Sequence, residues 1–114
     1  MRAYKAFDDS GIEELGVVSR EQVPVLVEAA EASLSGKHFG VGFYRSEKDF
    51  VEVRPVGKSE YLIWSGCISG GRGILGWFSR KRHIQKTVSG RASAIEAALY
   101  YMDFSRDAFE RKYG

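Results

Sequence analysis

Two periodicities divide the chain. Between residues 20 and 35, Val23, Leu26, Val27, Ala30 and Leu34 recur at the three- and four-residue spacing of a helix with one buried side. Ser19-Arg20-Glu21-Gln22 precedes them with the Ser-x-x-Gln form of a capping box, and Gly36 stands where such a helix stops. Pro24 lies one residue deeper than proline tolerates if Ser19 is the cap, which points to a first turn that begins later. From His38 onward the pattern turns to aromatic and β-branched runs. HFGVGFYR (38–45), FVEVRPV (50–56), EYLIWSGCI (60–68), ILGWFS (74–79) and HIQKTVS (83–89) read as short strands. Ser46-Glu47-Lys48-Asp49 and Gly57-Lys58-Ser59 supply turns between them, and Arg80-Lys81-Arg82 reads as a basic turn joining the last two. RAYKAF (2–7) suits one more short strand, ended by Asp8-Asp9-Ser10-Gly11.

The helical spacing then returns. Ser93-Ala94-Ile95-Glu96 has the form of a second capping box, and Ile95, Ala98, Leu99 and Met102 share one helix face. Ser105-Arg106-Asp107 restarts a last short helix that presents Phe109 and Tyr113. This order predicts an α+β domain: an antiparallel sheet of about five strands, with a helix from the N-terminal half and a C-terminal helix packed on one face. With 114 residues and neither repeat nor linker, residues 1–114 read as a single domain.

Composition narrows the function classes. At 44% hydrophobic and 28% charged residues the chain has the make-up of a globular protein, and no apolar run reaches the length of a membrane span. The opening MRAYKAFDDS carries acids where a signal peptide needs an apolar stretch, and the single cysteine, Cys67, cannot form an internal disulfide. The expectation is a cytoplasmic protein with no membrane association. The net charge of +2 conceals an asymmetry: residues 1–60 hold 8 Lys and Arg against 11 Asp and Glu, and residues 61–114 hold 9 against 4. Six of those cations fall between Glu60 and Glu96, where there is no acid. The competing expectation is that acids of the first half neutralise them across the folded surface.

The stretch GCISGGRGILGWFSRKRH (66–83) concentrates glycine, aromatic residues and positive charge. Gly71, Gly73 and Gly76 spell G-x-G-x-x-G, but no helix-opening pattern follows and no crossover helix separates the flanking strands, so the dinucleotide-binding context is missing. Catalysis finds little support. Cys67 falls in a predicted strand as a small buried residue, His38 and His83 lie at opposite ends of the sheet region, and no His/Cys/Asp cluster has metal-ligand spacing. The expectation is a protein without enzymatic activity, cofactor or metal. Cations interleaved with Trp64, Trp77 and Phe78 suit a macromolecular contact, either to phosphates and bases or to another protein.

In organisation, SREQVPVLVEAAEASL, FVEVRPVGKSEYLIWSG and VSGRASAIEAALYYM resemble the small cytosolic immunity proteins of bacterial polymorphic-toxin and contact-dependent inhibition systems. The resemblance implies a scaffold without catalysis that blocks a cognate toxin by surface complementarity. Immunity proteins against nucleases are commonly acidic, whereas the central segment here is basic. The predicted contact is the 72–86 hairpin: Arg72, Arg80, Lys81, Arg82 and Lys86 as charged groups, with Trp77 and Phe78 as anchors. The alternative is a nucleic-acid-binding accessory protein using the basic 72–91 segment.

Overall fold

A computed structural model describes residues 1–7, 11–32, 39–46, 49–57, 59–69 and 80–114. Strands β1 (Arg2–Phe7) and β2 (Ile12–Val17) form a first hairpin, followed by helix α1 (Gln22–Ala32). Strands β3 (Phe39–Ser46), β4 (Asp49–Gly57), β5 (Glu60–Ser69) and β6 (Arg80–Ser89) run as a meander, and helices α2 (Arg91–Asp103) and α3 (Arg106–Tyr113) close the chain. The six strands form one antiparallel sheet in the order β2-β1-β3-β4-β5-β6. The α+β class is as the sequence pattern predicts, with six strands among the described residues where about five were expected.

Strand β2 carries no sequence signal of its own. IEELGV places two glutamates side by side and buries little, which an edge strand paired on one side tolerates. The expected strand 74–79 lies outside the described residues. Arg80, Lys81 and Arg82 are not a turn. They open β6, because the ladder with β5 runs unbroken from Glu60↔Ser89 to Ser69↔Arg80. A strand at the sheet edge can carry such charge where a central strand cannot.

The pleat sends alternate residues to opposite faces. On one face Ala3, Phe43, Val51, Ser65 and Ile84 form a row across five strands, with Val41, Val53 and Ile63 beside them. Most of these are fully buried, and the helices lie over them. Helix α1 contributes Val23, Val27 and Ala30. It begins at Gln22, so Pro24 falls in the first turn, where its missing N–H leaves no helical bond unmade. The Gln22 carboxamide accepts from the Ser19 backbone N–H at 2.8 Å, which is half of the expected capping box.

The second box does not form. Gly90, at φ 88°, caps α2, and the helix starts at Arg91, so Ser93 already lies in its first turn. The left-handed φ, costly for other residues, is one that glycine adopts readily. Glu96 instead takes Lys112 of α3 at 3.0 Å. The buried stripe of α2 is also rotated from the predicted one: Ala94, Ala97, Ala98 and Tyr101 face the core, while Ile95, Leu99 and Met102 are half-buried. Three alanines let the helix lie close to the sheet, a gain that counting large apolar residues misses.

Helix α3 is capped by the Ser105 hydroxyl, which accepts from the Ala108 N–H at 3.2 Å. Its first residue, Arg106, is buried. The guanidinium donates to the Ser65 hydroxyl and to Glu110, and stands 3.7 Å from Asp49. Asp49 in turn accepts the Tyr101 hydroxyl at 2.8 Å. This polar cluster joins β4, β5, α2 and α3 at one end of the core. At the other end, Glu31 of α1 accepts from Tyr61 of β5 at 2.5 Å and from Arg91 of α2 at 2.6 Å.

Candidate interaction face

The other face of the sheet is composed by the same alternation. Glu14, Tyr4, Gly42, Glu52, Trp64 and Gln85 form one row across all six strands, and Arg2, Tyr44, Phe50, Gly66 and His83 form the next. At about 4.8 Å per strand, such a row spans roughly 24 Å. Trp64 is 40% exposed there. Its ring meets Phe50 edge-on, with centroids 5.0 Å apart and planes at 70°. The charge imbalance along the sequence is laid out across this sheet, since β2 carries Glu13 and Glu14 at one edge and β6 carries Arg80, Lys81 and Arg82 at the other.

Three glycines shape the face. A Cβ on Gly42 would stand 2.0 Å from Cζ of Tyr4, one on Gly66 would be 2.8 Å from Phe50, and one on Gly40 would be 2.9 Å from Glu52. Tyr4, Phe50 and Glu52 therefore lie across the strands beside them. The result is a low surface paved with rings.

Hydrogen bonds fix the arrangement. Tyr4 donates its hydroxyl to Glu52 at 3.2 Å, and Arg54 donates to the same carboxylate at 3.4 Å. Burial, reinforced by the Glu52 charge, pushes the Tyr4 phenol well above its ordinary value. Tyr44 donates to Glu14 at 2.7 Å, and Arg2 donates to the Tyr44 oxygen at 3.0 Å. The Tyr44 hydrogen bond holds the Glu14 carboxyl below the usual range, with smaller help from the Gly16 N–H and Arg2. Between these groups opens a cleft of about 430 Å³ lined by Tyr4, Ile12, Glu14, Tyr44, Ser46 and Phe50.

The residues expected to form the contact are divided by the fold. Arg72, Trp77 and Phe78 lie outside the described residues. Arg80, Lys81 and Arg82 stand on the edge strand opposite Ser69, Ile68 and Cys67. Lys86 does not join the open face. It sits opposite Ile63 in a row of the helix-covered side, with its ammonium 5.9 Å from the Tyr113 ring. Arg91, part of the same basic run, is held by Glu28 and Glu31 of the first half, as the neutralisation reading expects.

Sequence reasoning passed over Tyr4, Tyr44 and Phe50. Its available signal was Gly40-Val41-Gly42 inside a strand, where paired glycines on one face mark a close approach by neighbouring groups. Trp64 lies on the open face because Ile63 and Ser65 occupy the inward positions of β5.

The face combines an exposed aromatic ring, a shallow cleft and a carboxylate. His83 is exposed and pairs with Gly66, while Cys67 pairs with Arg82, so the cysteine and histidine are not opposed. Among the described residues no three His, Cys, Asp or Glu side chains are grouped to hold a metal ion. Among the described residues no helix is long and apolar enough to cross a membrane. Compared with family models, with curated proteins and with solved structures, the chain matches none.

Proposed function

We propose that this chain is a non-enzymatic protein-binding domain, an immunity protein that neutralises a cognate toxin by direct contact through its open sheet face and the adjoining edge strand β6. The observation that carries the reading is the placement of Trp64: a large ring, 40% exposed and braced by Phe50, on the sheet face opposite the helices. A rigid aromatic group of this kind buries much area at little entropic cost when a partner covers it. The adjacent edge strand β6 opens with the run Arg80-Lys81-Arg82, whose positive charge would draw acidic groups of the partner toward this side of the sheet.

A protein fits this face better than a nucleic acid. Glu14, 44% exposed, lies in the same row as Tyr4 and Trp64, where a phosphate backbone would meet negative charge. The test is to mix the chain with the toxin encoded by the adjacent gene. A stoichiometric complex that silences the toxin, weakened about 30-fold or more by Trp64→Ala, supports the proposal. Binding instead to generic DNA or RNA, falling steeply from about 50 to about 200 mM salt, would replace it with the accessory-protein reading.

A further inference from the structure

We infer that the cleft between Tyr4, Tyr44 and Phe50 receives a lysine side chain of the protein partner. The inference rests on the open face being the docking surface, and adds the chemistry of one contact within it.

Three features of the cleft select a cation. The first is the rings. Tyr4 passes over Gly42 instead of standing up from the sheet, so one face of its ring covers backbone and the other lines the cleft. Tyr44 lies 6.0 Å from it, tilted by 50°, and Phe50 closes the side. Ring faces carry the negative part of the aromatic quadrupole and attract ammonium groups. Both phenol hydroxyls also donate to carboxylates, Tyr4 to Glu52 and Tyr44 to Glu14, which pushes electron density back into the rings.

The second feature is Glu14, which lines the cleft as a carboxylate. Its Oε1 takes the Gly16 N–H at 3.1 Å and the Arg2 guanidinium at 3.4 Å. Its Oε2 takes the Tyr44 hydroxyl at 2.7 Å and has the lone-pair capacity for a second donor. The third feature is apolar wall. Ile12, 73% exposed, and Phe50 offer surface to an aliphatic stem, so a four-carbon chain ending in an ammonium suits this lining. The molecule uses the same chemistry within itself, with Lys112 Nζ 4.4 Å from the Tyr100 ring centroid.

The experiment titrates the intact chain with N-acetyl-lysine N-methylamide, and in parallel with the neutral norleucine counterpart, following the aromatic NMR signals of Tyr4, Tyr44 and Phe50. Saturable shifts in the millimolar range at low salt, several-fold weaker with norleucine, are expected. Glu14→Gln should weaken the lysine compound about fivefold, and Arg2→Ala should tighten it about twofold by removing the resident cation. Equal responses to the two compounds, or none, overturn the inference. The two levels separate cleanly. A toxin complex weakened by Trp64→Ala alongside no lysine response defeats the cleft and spares the docking face. A lysine response alongside a toxin complex indifferent to Glu14→Gln and Trp64→Ala upholds the cleft's selectivity for cations and defeats its place in docking.

Discussion

Tyr4 occupies the space that a side chain at Gly42 would need. A Cβ at residue 42 would stand 2.0 Å from Cζ and 2.2 Å from Cε1 of the Tyr4 ring, well inside van der Waals contact. Neighbouring strands thus share one volume, filled from β1 and left empty by β3. Gly42→Ala must displace the ring and with it the hydrogen bond to Glu52. We expect a loss of about 2 kcal/mol in denaturant unfolding. In a Tyr4→Ala background the same change meets no ring and should cost far less. A double-mutant cycle checks this, and additive effects would contradict the shared-volume account.

Arg106 is the keystone of the polar cluster at one end of the core. It is 8% exposed, and its guanidinium donates to Ser65 and Glu110 beside Asp49. Arg106→Ala leaves Asp49 near-buried with less compensation and releases α3 from β5. The expected loss is about 3 kcal/mol, read from chemical denaturation. A loss below about 0.5 kcal/mol would mean that Phe109 and Tyr113 alone hold the helix, as their burial suggests they share the task.

The tyrosines make stability sensitive to alkali. Burial first, then the bond to Glu31, pushes the Tyr61 phenol up to about 12. Burial also raises Tyr4 and Tyr101, reinforced by Glu52 and Asp49 respectively. A group whose pKa is raised on folding stabilises the fold while protonated. That contribution is complete below the unfolded value near 10 and is lost as pH climbs through the folded value. Stability should therefore decline between about pH 10 and 12, and the absorbance of phenolate should show Tyr61 ionising late. Tyr61→Phe should flatten part of the decline. An unchanged profile in that variant would contradict the assignment.

These expectations mark where the sequence was readable. Periodicity located α1, α3 and the meander because their buried positions carry valine, isoleucine and large aromatics. It failed at β2, whose Glu13-Glu14 pair suits an edge and defeats an alternation test. It misplaced the start of α2, because Ser93-x-x-Glu96 imitates a cap that Gly90 supplies through its backbone. The candidate face was legible at its cationic edge and at Trp64. Its aromatic part depends on which residues oppose each other across strands, Tyr4 with Gly42 and Phe50 with Gly66, and that register is a tertiary property. A local pattern cannot report it.

The proposed docking surface is tested most directly by hydrogen–deuterium exchange of the chain, free and mixed with the proposed cognate toxin. The account predicts slowed exchange of backbone amides in β4, β5 and β6 around Phe50, Trp64 and Arg80–Arg82, with α2 and α3 unchanged. Protection confined to the helices, with β5 and β6 exchanging as in the free chain, would contradict it.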